Sequence, residues 1–494
     1  MNVTIDLNTT EGYRDFLKVK SLPVYSFTGR EAWFPDEYAS RFGIDTRTKS
    51  KAKAKYTPKS RLFDYQAAVS RMAIQKQKYA LFMGCGLGKT LVFLEYIRHV
   101  DRVLPKGKSI LLVSPLMVIG QTIAECKRFY GDSLQLEQVS ARDLPAWTQK
   151  GGRIGITNYE AITDDVSQGR LGCIVIDESS MLKSHYGAWG TRLIELGKGL
   201  DWKLAGTGTP APNDRIEYAN HAVFLDYFPT VNSFLAKYFI NRGQTSNRWE
   251  LKPHALKSFY RDLSHWSIFL SNPAVYGWKD NVGTLPPIHV HIEDVMLTEG
   301  QISAACAIGG DLFGSVGGGI ATRGKIARIA KGVGVESLKP NWIRDKVASF
   351  GDESSLIWCK YNPEQDALAK LMPTAGNIDG STPIDERHRI VDAFKSGRIK
   401  TIISKPKIMG FGLNLQIATH QIFSTCQDSY EEYTQAVKRS NRVGSTVPLN
   451  VYIPVTDIER PMIETVLRKA GRIQIDEAEQ ENLFREMMNN GGLN

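Results

Sequence analysis

The sequence predicts an α/β protein with two parallel sheets, and three observations carry that prediction. Two stretches, from about Leu62 to Asn213 and from about Asn341 to Val455, alternate short apolar runs with helical patterns. That is the order in which parallel sheets are laid down. The runs are near-continuous Ile, Val and Leu, as in strands covered on both faces. Between the two stretches, residues 214–340 change character.

In the first stretch the predicted strands are Ala80–Met83, Ile110–Ser114, Ile154–Thr157, Cys173–Asp177 and Lys203–Gly206. In the second they lie near Leu356–Cys359, Thr401–Ser404, Gln421–Ser424 and Asn450–Pro454. We therefore expect two α/β lobes, at 61–213 and 341–470, joined by a mainly helical region at 214–340. In that region residues 214–270 are rich in Phe, Tyr and Trp, which core packing explains more simply than base stacking. Leu285-Pro286-Pro287 then precedes an apparent strand, Ile288–Val295, and a glycine cluster from Gly314 to Gly319 precedes a basic helical segment, Arg323–Lys331. Residues 1–60 form a separate small piece, and 471–494 a C-terminal tail or helix. From Arg47 to Arg61 there are seven basic residues and no acidic one, which suits a solvated linker or a phosphate-contacting arm equally well.

Composition narrows the function. The 494 residues suit about three domains at roughly 150 residues each. With 42% apolar and 23% charged residues, chain-wide disorder and a low-complexity fibre are excluded. There is no apolar run of about 18 residues, so no membrane partner is expected. The N-terminus lacks the basic and then apolar stretches of a secretory signal. Six cysteines stand singly, which argues against a zinc site or a disulfide framework and leads us to expect a cytoplasmic protein. The formal net charge of +10 favours a polyanionic partner.

Gly84-Cys85-Gly86-Leu87-Gly88-Lys89-Thr90 follows a predicted strand and opens a predicted helix. Glycines let backbone N–H groups turn inward around phosphate oxygens, and a helix N-terminus adds favourable partial charge. Lys89 is placed to reach terminal phosphates and the Thr90 hydroxyl to ligate Mg²⁺. Met83 stands where the strict phosphate-loop pattern has its first glycine. A dinucleotide-binding fingerprint has Gly rather than Lys at 89, so the Lys-Thr pair favours a nucleoside triphosphate.

Cys173-Ile-Val-Ile-Asp177-Glu178 ends a buried strand in two carboxylates. This puts Asp177 near a metal and Glu178 where it can polarise an attacking water. Gln435, Arg439 and Arg442 fall at i, i+4 and i+7, on one face if the segment is helical. An arginine there can answer developing charge on a transferred phosphoryl group, a contribution of about 10³–10⁵ in rate.

Taken together in chain order, these motifs resemble superfamily 2 helicase-like ATPases, most closely the Swi/Snf-type DNA translocases, over about residues 61 to 470. Leu62-Phe63-Asp64-Tyr65-Gln66 looks like the family's adenine-reading Q motif, which implies base recognition by Gln66. Val113-Ser114-Pro115-Leu116 and Thr157-Asn158-Tyr159-Glu160 are similar to two strand-end motifs that grip the nucleic-acid backbone. The resemblance thus implies backbone contacts for Ser114, Pro115, Thr157 and Asn158. Asp177-Glu178-Ser179-Ser180 fits the Asp-Glu-x-x box, but its last two residues follow neither the DEAD nor the DEAH form. Thr207-Gly208-Thr209-Pro210-Ala211-Pro212-Asn213 closely resembles the motif that links hydrolysis to lobe movement, which implies coupling roles for Thr207 and Thr209.

In the second lobe, Asp379-Gly380-Ser381-Thr382 with Arg387 looks like a backbone-contact motif, implicating Gly380, Ser381 and Thr382. Gly410-Phe411-Gly412-Leu413-Asn414-Leu415 matches a stretch that touches both nucleic acid and nucleotide, implicating Asn414 and Gly412. Gln435, Arg439 and Arg442 match the family position by position, with Gln435 in a coupling role; Ser445 replaces a usual Gln. Leu285-Pro286-Pro287 resembles a family signature between the lobes.

The resemblance implies two RecA-like lobes that use ATP and Mg²⁺ and move along double-stranded or branched DNA without sequence preference. Strand separation on DNA or RNA stays open, as does service as an ATP-gated motor subunit for a partner nuclease or a replication or recombination complex, with residues 1–60 docking that partner. Short flanks suggest a bacterial or phage protein.

Overall fold

The computed structural model describes residues 2–489 apart from 23–24, 35, 45–54, 60, 183–187, 212–213, 244–248, 280–282, 284, 309–319, 410–412, 425–429 and 443. Gly410, Phe411, Gly412, Pro212, Asn213, Cys426, the cluster Gly314–Gly319 and the basic residues Arg47, Lys49, Lys51 and Lys53 therefore lie outside the described residues. The chain divides into two compact units, Met1–Asn281 with Asp476–Asn494, and Val282–Ile475. Among the described residues no helix is long and apolar enough to cross a membrane.

The first unit opens with a three-stranded antiparallel sheet of β1 (Asn2–Thr4), β2 (Ser26–Thr28) and β3 (Glu31–Trp33). Helix Thr10–Lys20 packs on it, its first turn capped by the Thr9 hydroxyl, which accepts from Gly12 N at 3.0 Å. Ile5, Val19, Leu22, Ala32, Phe34 and Tyr38 give this piece its own small core. Where the basic run is described, it is anchored rather than loose. Tyr56 Oη donates to the buried Glu95 carboxylate at 2.7 Å, and Arg98 Nη2 donates to the Thr57 carbonyl at 2.7 Å.

The main sheet of this unit has seven parallel strands: β4 (Lys78–Met83), β5 (Ser109–Val113), β6 (Glu137–Gln138), β7 (Ile154–Thr157), β8 (Leu171–Asp177), β9 (Trp202–Thr207) and β12 (Ser267–Leu270), in the order β12-β4-β9-β8-β5-β7-β6. All five predicted strands of this stretch appear, one with the expected bounds and the others with ends moved by one or two residues. Packing is close enough that a Cβ on Gly206 of β9 would lie 2.4 Å from the Phe93 ring on helix Lys89–Val103.

The region read as helical supplies helices Tyr218–Phe224, Val231–Tyr238 and Leu256–Ser264, and a two-stranded hairpin of β10 (Phe239–Asn241) and β11 (Trp249–Leu251). Its aromatic residues do pack as core: Phe259 meets Tyr238 edge-on at 5.3 Å between ring centroids and Phe239 at 5.8 Å. It also supplies β12, which was not predicted, because Ser-Ile-Phe-Leu is short and sits in an aromatic run that reads as helix. β12 pairs with β4 in parallel, and Leu270 O accepts from Gly84 N at 2.8 Å. The end of the long helix Arg460–Asn489 also belongs to this unit. There Phe484 is buried against Phe269 at 5.2 Å, and Glu481 accepts from Ser271 N at 2.9 Å and Asn272 N at 3.3 Å.

The second unit is built on a six-stranded parallel sheet of β13 (Ile288–Asp294), β14 (Ser354–Trp358), β15 (Gly376–Ile378), β16 (Thr401–Ser404), β17 (Ala418–Phe423) and β18 (Leu449–Val455), in the order β13-β18-β17-β14-β16-β15. The strand expected near Ile288–Val295 thus forms an edge of this sheet, paired with β18 over its whole length. Ile343, Ile357, Leu368, Ile403 and Ile422 fill the core beneath it.

Phe484→Ala removes a fully buried ring and should cost about 3–5 kcal/mol. A clear fall in the urea midpoint of the full chain is expected. An unchanged midpoint would mean that residues 476–489 contribute nothing to the first unit.

Candidate functional site

The loop after β4 is shaped by two glycines. Gly86 (φ +86°) and Gly88 (φ +70°) take left-handed conformations that other residues rarely adopt. Gly84 is different: a Cβ there would meet only ordinary contacts. Met83, at the position of the missing glycine, is the last residue of β4 and fully buried, so the chain turns one residue later than the strict pattern. Lys89 begins helix Lys89–Val103, and its Nζ donates to Met83 O at 2.8 Å and Gly84 O at 3.3 Å. Thr90 follows it in the first turn, partly exposed.

Gln66 is buried against this loop. Its Nε2 donates to Leu87 O at 3.2 Å, beside Tyr65 Oη at 3.0 Å, and its Oε1 accepts from Phe63 N at 3.1 Å. A Cβ on Gly88 would lie 2.4 Å from Gln66 Nε2. Gln66 therefore meets the phosphate loop itself.

Asp177 ends β8 next to this loop. Burial raises its carboxyl pKa to about 6, with the neighbouring Glu178 adding to the shift; the Lys89 ammonium and the Ser114 hydroxyl oppose it. Ser114 Oγ donates to Asp177 Oδ2 at 3.1 Å. Glu178 adopts φ +58°, an uncommon backbone state for a residue with a side chain. Its Oε1 accepts from Thr207 Oγ1 at 2.6 Å and Ser180 Oγ at 3.0 Å. Thr207 Oγ1 in turn accepts from Thr209 N at 3.1 Å. Thr207 and Thr209 thus join Glu178 in one hydroxyl-linked group, and a Cβ on Gly208 would come within 3.3 Å of Cys85 Sγ.

The predicted backbone-contact residues of this unit split. Ser114 and Thr157 are fully buried: Ser114 holds Asp177, and Thr157 Oγ1 donates to Val139 O at 2.8 Å. Pro115 and Asn158 are partly exposed at their strand ends, and Asn158 Nδ2 donates to Glu160 at 2.8 Å.

Three residues of this group were not singled out. Ser180 contacts Glu178 directly. Tyr159 Oη donates to Asp177 O at 2.5 Å and Glu178 O at 3.0 Å. His221, fully buried, lies 3.0 Å from Ser179 Oγ and 3.5 Å from Glu217 O. The carbonyl requires Nδ1 to carry the proton, so Nε2 accepts from Ser179. Tyr159 and Ser180 stood inside quoted motifs, but His221 carries no sequence signal.

In the second unit the expectation that Gln435, Arg439 and Arg442 share one helical face needs correction. The helix is Tyr430–Val437 and ends before either arginine. Arg439 N and Ser440 N bond three residues back, to Ala436 O and Val437 O, tightening the last turn. The side chain of Gln421 on β17 takes the carbonyl of Ala436 at 3.0 Å and the hydroxyl of Ser440 at 2.7 Å, which stops the helix there. The arginines are brought together all the same: Arg439 Nη1 and Arg442 Nη1 both point at Leu413 O, at 3.5 and 3.4 Å. Arg439 Nε also donates to Gln435 O at 2.9 Å. Asn414 bonds Gln416 at 3.0 Å, whose Nε2 lies 3.4 Å from Arg442 O.

Asp379 preorganises the next loop. Its Oδ1 accepts from Ser381 N at 2.8 Å, Thr382 N at 2.9 Å and both hydroxyls, and these bonds hold its carboxyl pKa down. Arg387 clamps the outside through Thr382 O at 2.7 Å and Gly380 O at 3.0 Å.

Comparison with known proteins adds two family matches. Residues 59–189 match the type III restriction enzyme res subunit, and residues 339–444 match the helicase conserved C-terminal domain. The chain is 23% identical to the ATP-dependent DNA helicase DDM1 of Arabidopsis thaliana over 441 residues, 74% of this chain and 55% of that protein. It is 32% identical to the ATP-dependent helicase fft1 of Schizosaccharomyces pombe over 129 residues, 25% of this chain and 13% of that one. It therefore spans at most just over half the length of these curated relatives. The structure of Saccharomyces cerevisiae Dbp5 bound to RNA and ADP BeF3 shares the fold, with a TM-score of 0.52, 12% identity and coverage of 85% of this chain and 93% of that one. Two parallel sheets carrying these motifs in this order define a superfamily 2 helicase-like ATPase. Within that class its motifs are most similar to those of the Swi/Snf type.

The buried His221 gives an acid-side prediction. Its pKa is depressed to about 4 from 6.5, mainly by burial, so the unfolded chain takes up this proton first. Stability present above pH 6.5 is lost as pH falls towards 4, by about 3 kcal/mol at about 1.4 kcal/mol per unit. His221→Gln should flatten denaturant midpoints across that window, and an equally steep dependence in the variant would assign it to other groups.

Proposed function

We propose that this chain hydrolyses ATP to move along duplex DNA. The observation that supports it most is the grouping in the first unit of Lys89, Asp177, Glu178 and Thr207 around one strand-end edge, in a chain whose relatives are named ATP-dependent helicases. In this reading the inward-turned amides after β4 and Lys89 receive the phosphates, with Lys89 exchanging its bonds to Met83 O and Gly84 O for phosphate oxygens. Gln66 reads the base and, through Leu87 O, senses the loop.

The donor set suits Mg²⁺, which takes hard oxygens and uses one or two carboxylates together with substrate phosphates. Asp177 and the Thr90 hydroxyl are such donors, and no denser carboxylate cluster is needed. Mg²⁺ supplies charge neutralisation between phosphates; the protein's part is to hold the ligands. Glu178, oriented by Thr207 and Ser180 through one oxygen, positions water and takes its proton.

Arg439 and Arg442 answer the charge that develops on the terminal phosphoryl group, leaving Leu413 O. Because Leu413 lies in the segment matched to nucleic-acid contact, that exchange links nucleotide state to grip. Ser114, Pro115, Thr157 and Asn158 in the first unit, and Gly380, Ser381, Thr382 and Asn414 in the second, serve the backbone contacts, while Gly412 serves the nucleotide. In this role the buried Ser114 and Thr157 shape their strand ends, while the exposed atoms of Pro115, Asn158 and Ser381 meet phosphate.

The deciding measurement is ATP hydrolysis with and without duplex DNA, single-stranded DNA and RNA, in the wild type, Lys89→Ala and Arg439→Ala. Duplex stimulation is expected, falling by at least about 10²-fold in both variants, a conservative share of the roughly 10³–10⁵ such arginines supply. Stimulation by RNA alone, or none by any nucleic acid, would overturn the duplex reading. A separate expectation concerns movement: a triplex-forming strand should be displaced from duplex DNA without opening of a fork. Fork opening without triplex displacement would move the assignment to a strand-separating helicase.

A further inference from the structure

At the carboxyl ends of β14 and β16, the second unit gathers positive charge that no motif accounts for. Tyr361 follows β14 and caps helix Asn362–Leu371. Around its ring stand Arg328 at 5.4 Å, Lys331 at 5.7 Å and Lys360 at 6.0 Å from the centroid. Lys405, directly after β16, donates through Nζ to Asn362 Oδ1. Arg328 and Lys331 come from helix Ile320–Ala330 and the turn that ends it.

Lys331 is the informative member. It is only 5% exposed, and among the described residues its Nζ makes no hydrogen bond or ion pair. It is not needed to close its own helix, because Gln301 Nε2 already takes Ile329 O at 2.8 Å and Ala330 O at 3.3 Å. Nor do the nearby carboxylates answer it. Glu459 is paired with the buried Lys339 and accepts from Thr456 Oγ1 at 2.7 Å. Glu364 accepts from Lys360 N at 2.9 Å, Tyr361 N at 3.3 Å and the Ser424 hydroxyl. Burial, with Lys339 and Lys360 nearby, pushes the Lys331 pKa down despite both glutamates. Among the described residues, three cations (Arg328, Lys331 and Lys360) stand around the Tyr361 ring, while Glu459 is taken by Lys339. The stem of Lys331 is buried but its Nζ is not fully enclosed, so an anion can reach the ammonium.

We propose that Arg328 and Lys331, against Tyr361, form a binding site for a phosphate of the DNA backbone. The site rests on the duplex-DNA reading above and extends it. β15 lies beside β16, so the loop Gly380–Thr382 emerges from the same sheet edge and the two form a row. One cation–aromatic contact explains one charge at Tyr361; it does not explain three cations around one ring.

The test is fluorescence anisotropy of the full chain with labelled duplexes of unrelated sequence, between about 50 and about 250 mM salt. Arg328→Gln and Lys331→Gln should each weaken binding by about 3–10-fold, equally on every sequence, and lower the log–log salt slope by about 0.9 per phosphate lost. The exposed Lys370→Gln should leave both unchanged. Lys331 is buried, so melting curves must accompany its variant; the exposed Arg328 decides the matter if Lys331→Gln does not fold. Unaltered affinity and slope in Arg328→Gln would overturn the site while leaving duplex binding intact. Unaltered duplex binding with a raised KM for ATP would assign the anion to a free nucleotide and overturn the DNA assignment. If the wild type itself fails to bind duplex, the functional reading falls, and this site with it.

Discussion

A carboxylate at the end of a strand buried on both faces has to be answered from nearby, and the first unit is arranged around that need. Asp177 receives the Ser114 hydroxyl from β5's end and feels the Lys89 ammonium, while Tyr159 holds the backbone carbonyls of Asp177 and Glu178. Each partner comes from a different element, and parallel order brings all their carboxyl ends to one edge. Residues far apart in the chain thus become one electrostatic group. The left-handed Glu178 is the point where the strand turns into that group, and the hydroxyls of Thr207 and Ser180 fix its carboxylate.

The second unit uses a carbonyl where the first uses a carboxylate. Leu413 O draws both Arg439 and Arg442, and Leu415 N closes the exchange by donating to Arg439 O at 3.0 Å. A neutral carbonyl is a weaker acceptor for a guanidinium than a charged oxygen, so a phosphate can displace it. The Asp379 loop is the opposite case. The amides and hydroxyls of Ser381 and Thr382 are gathered on the Asp379 carboxylate, which sets the loop's shape before any ligand arrives.

The strands with continuous Ile, Val and Leu were legible because burial on both faces writes itself into composition, and β7 and β16 agree with expectation residue for residue. β6 and β15 were not, being only two and three residues long, and β12 was hidden by the aromatic, helix-like run around it. The phosphate loop was legible because φ above zero demands glycine at 86 and 88. The arginine pair was found although its helical setting was wrong: spacing at i, i+4 and i+7 was read as helix, but Gln421, distant in sequence, ends the helix first. His221 and Lys331 lay beyond sequence reasoning altogether, since what matters about each is the surroundings that other segments provide.

The pairing of β12 with β4 has a consequence for how the protein is made. Gly84 N depends on Leu270 O, and Ala80 N on Trp266 O at 2.8 Å, contacts spanning nearly two hundred residues of chain. Closing so long a loop is slow compared with local structure. During vectorial synthesis, β4 and the loop after it emerge early but stay without this edge support until residue 270 has left the ribosome. The last part of the same unit, residues 476–489, arrives some two hundred residues later still, so the first unit is completed only when the chain is nearly finished.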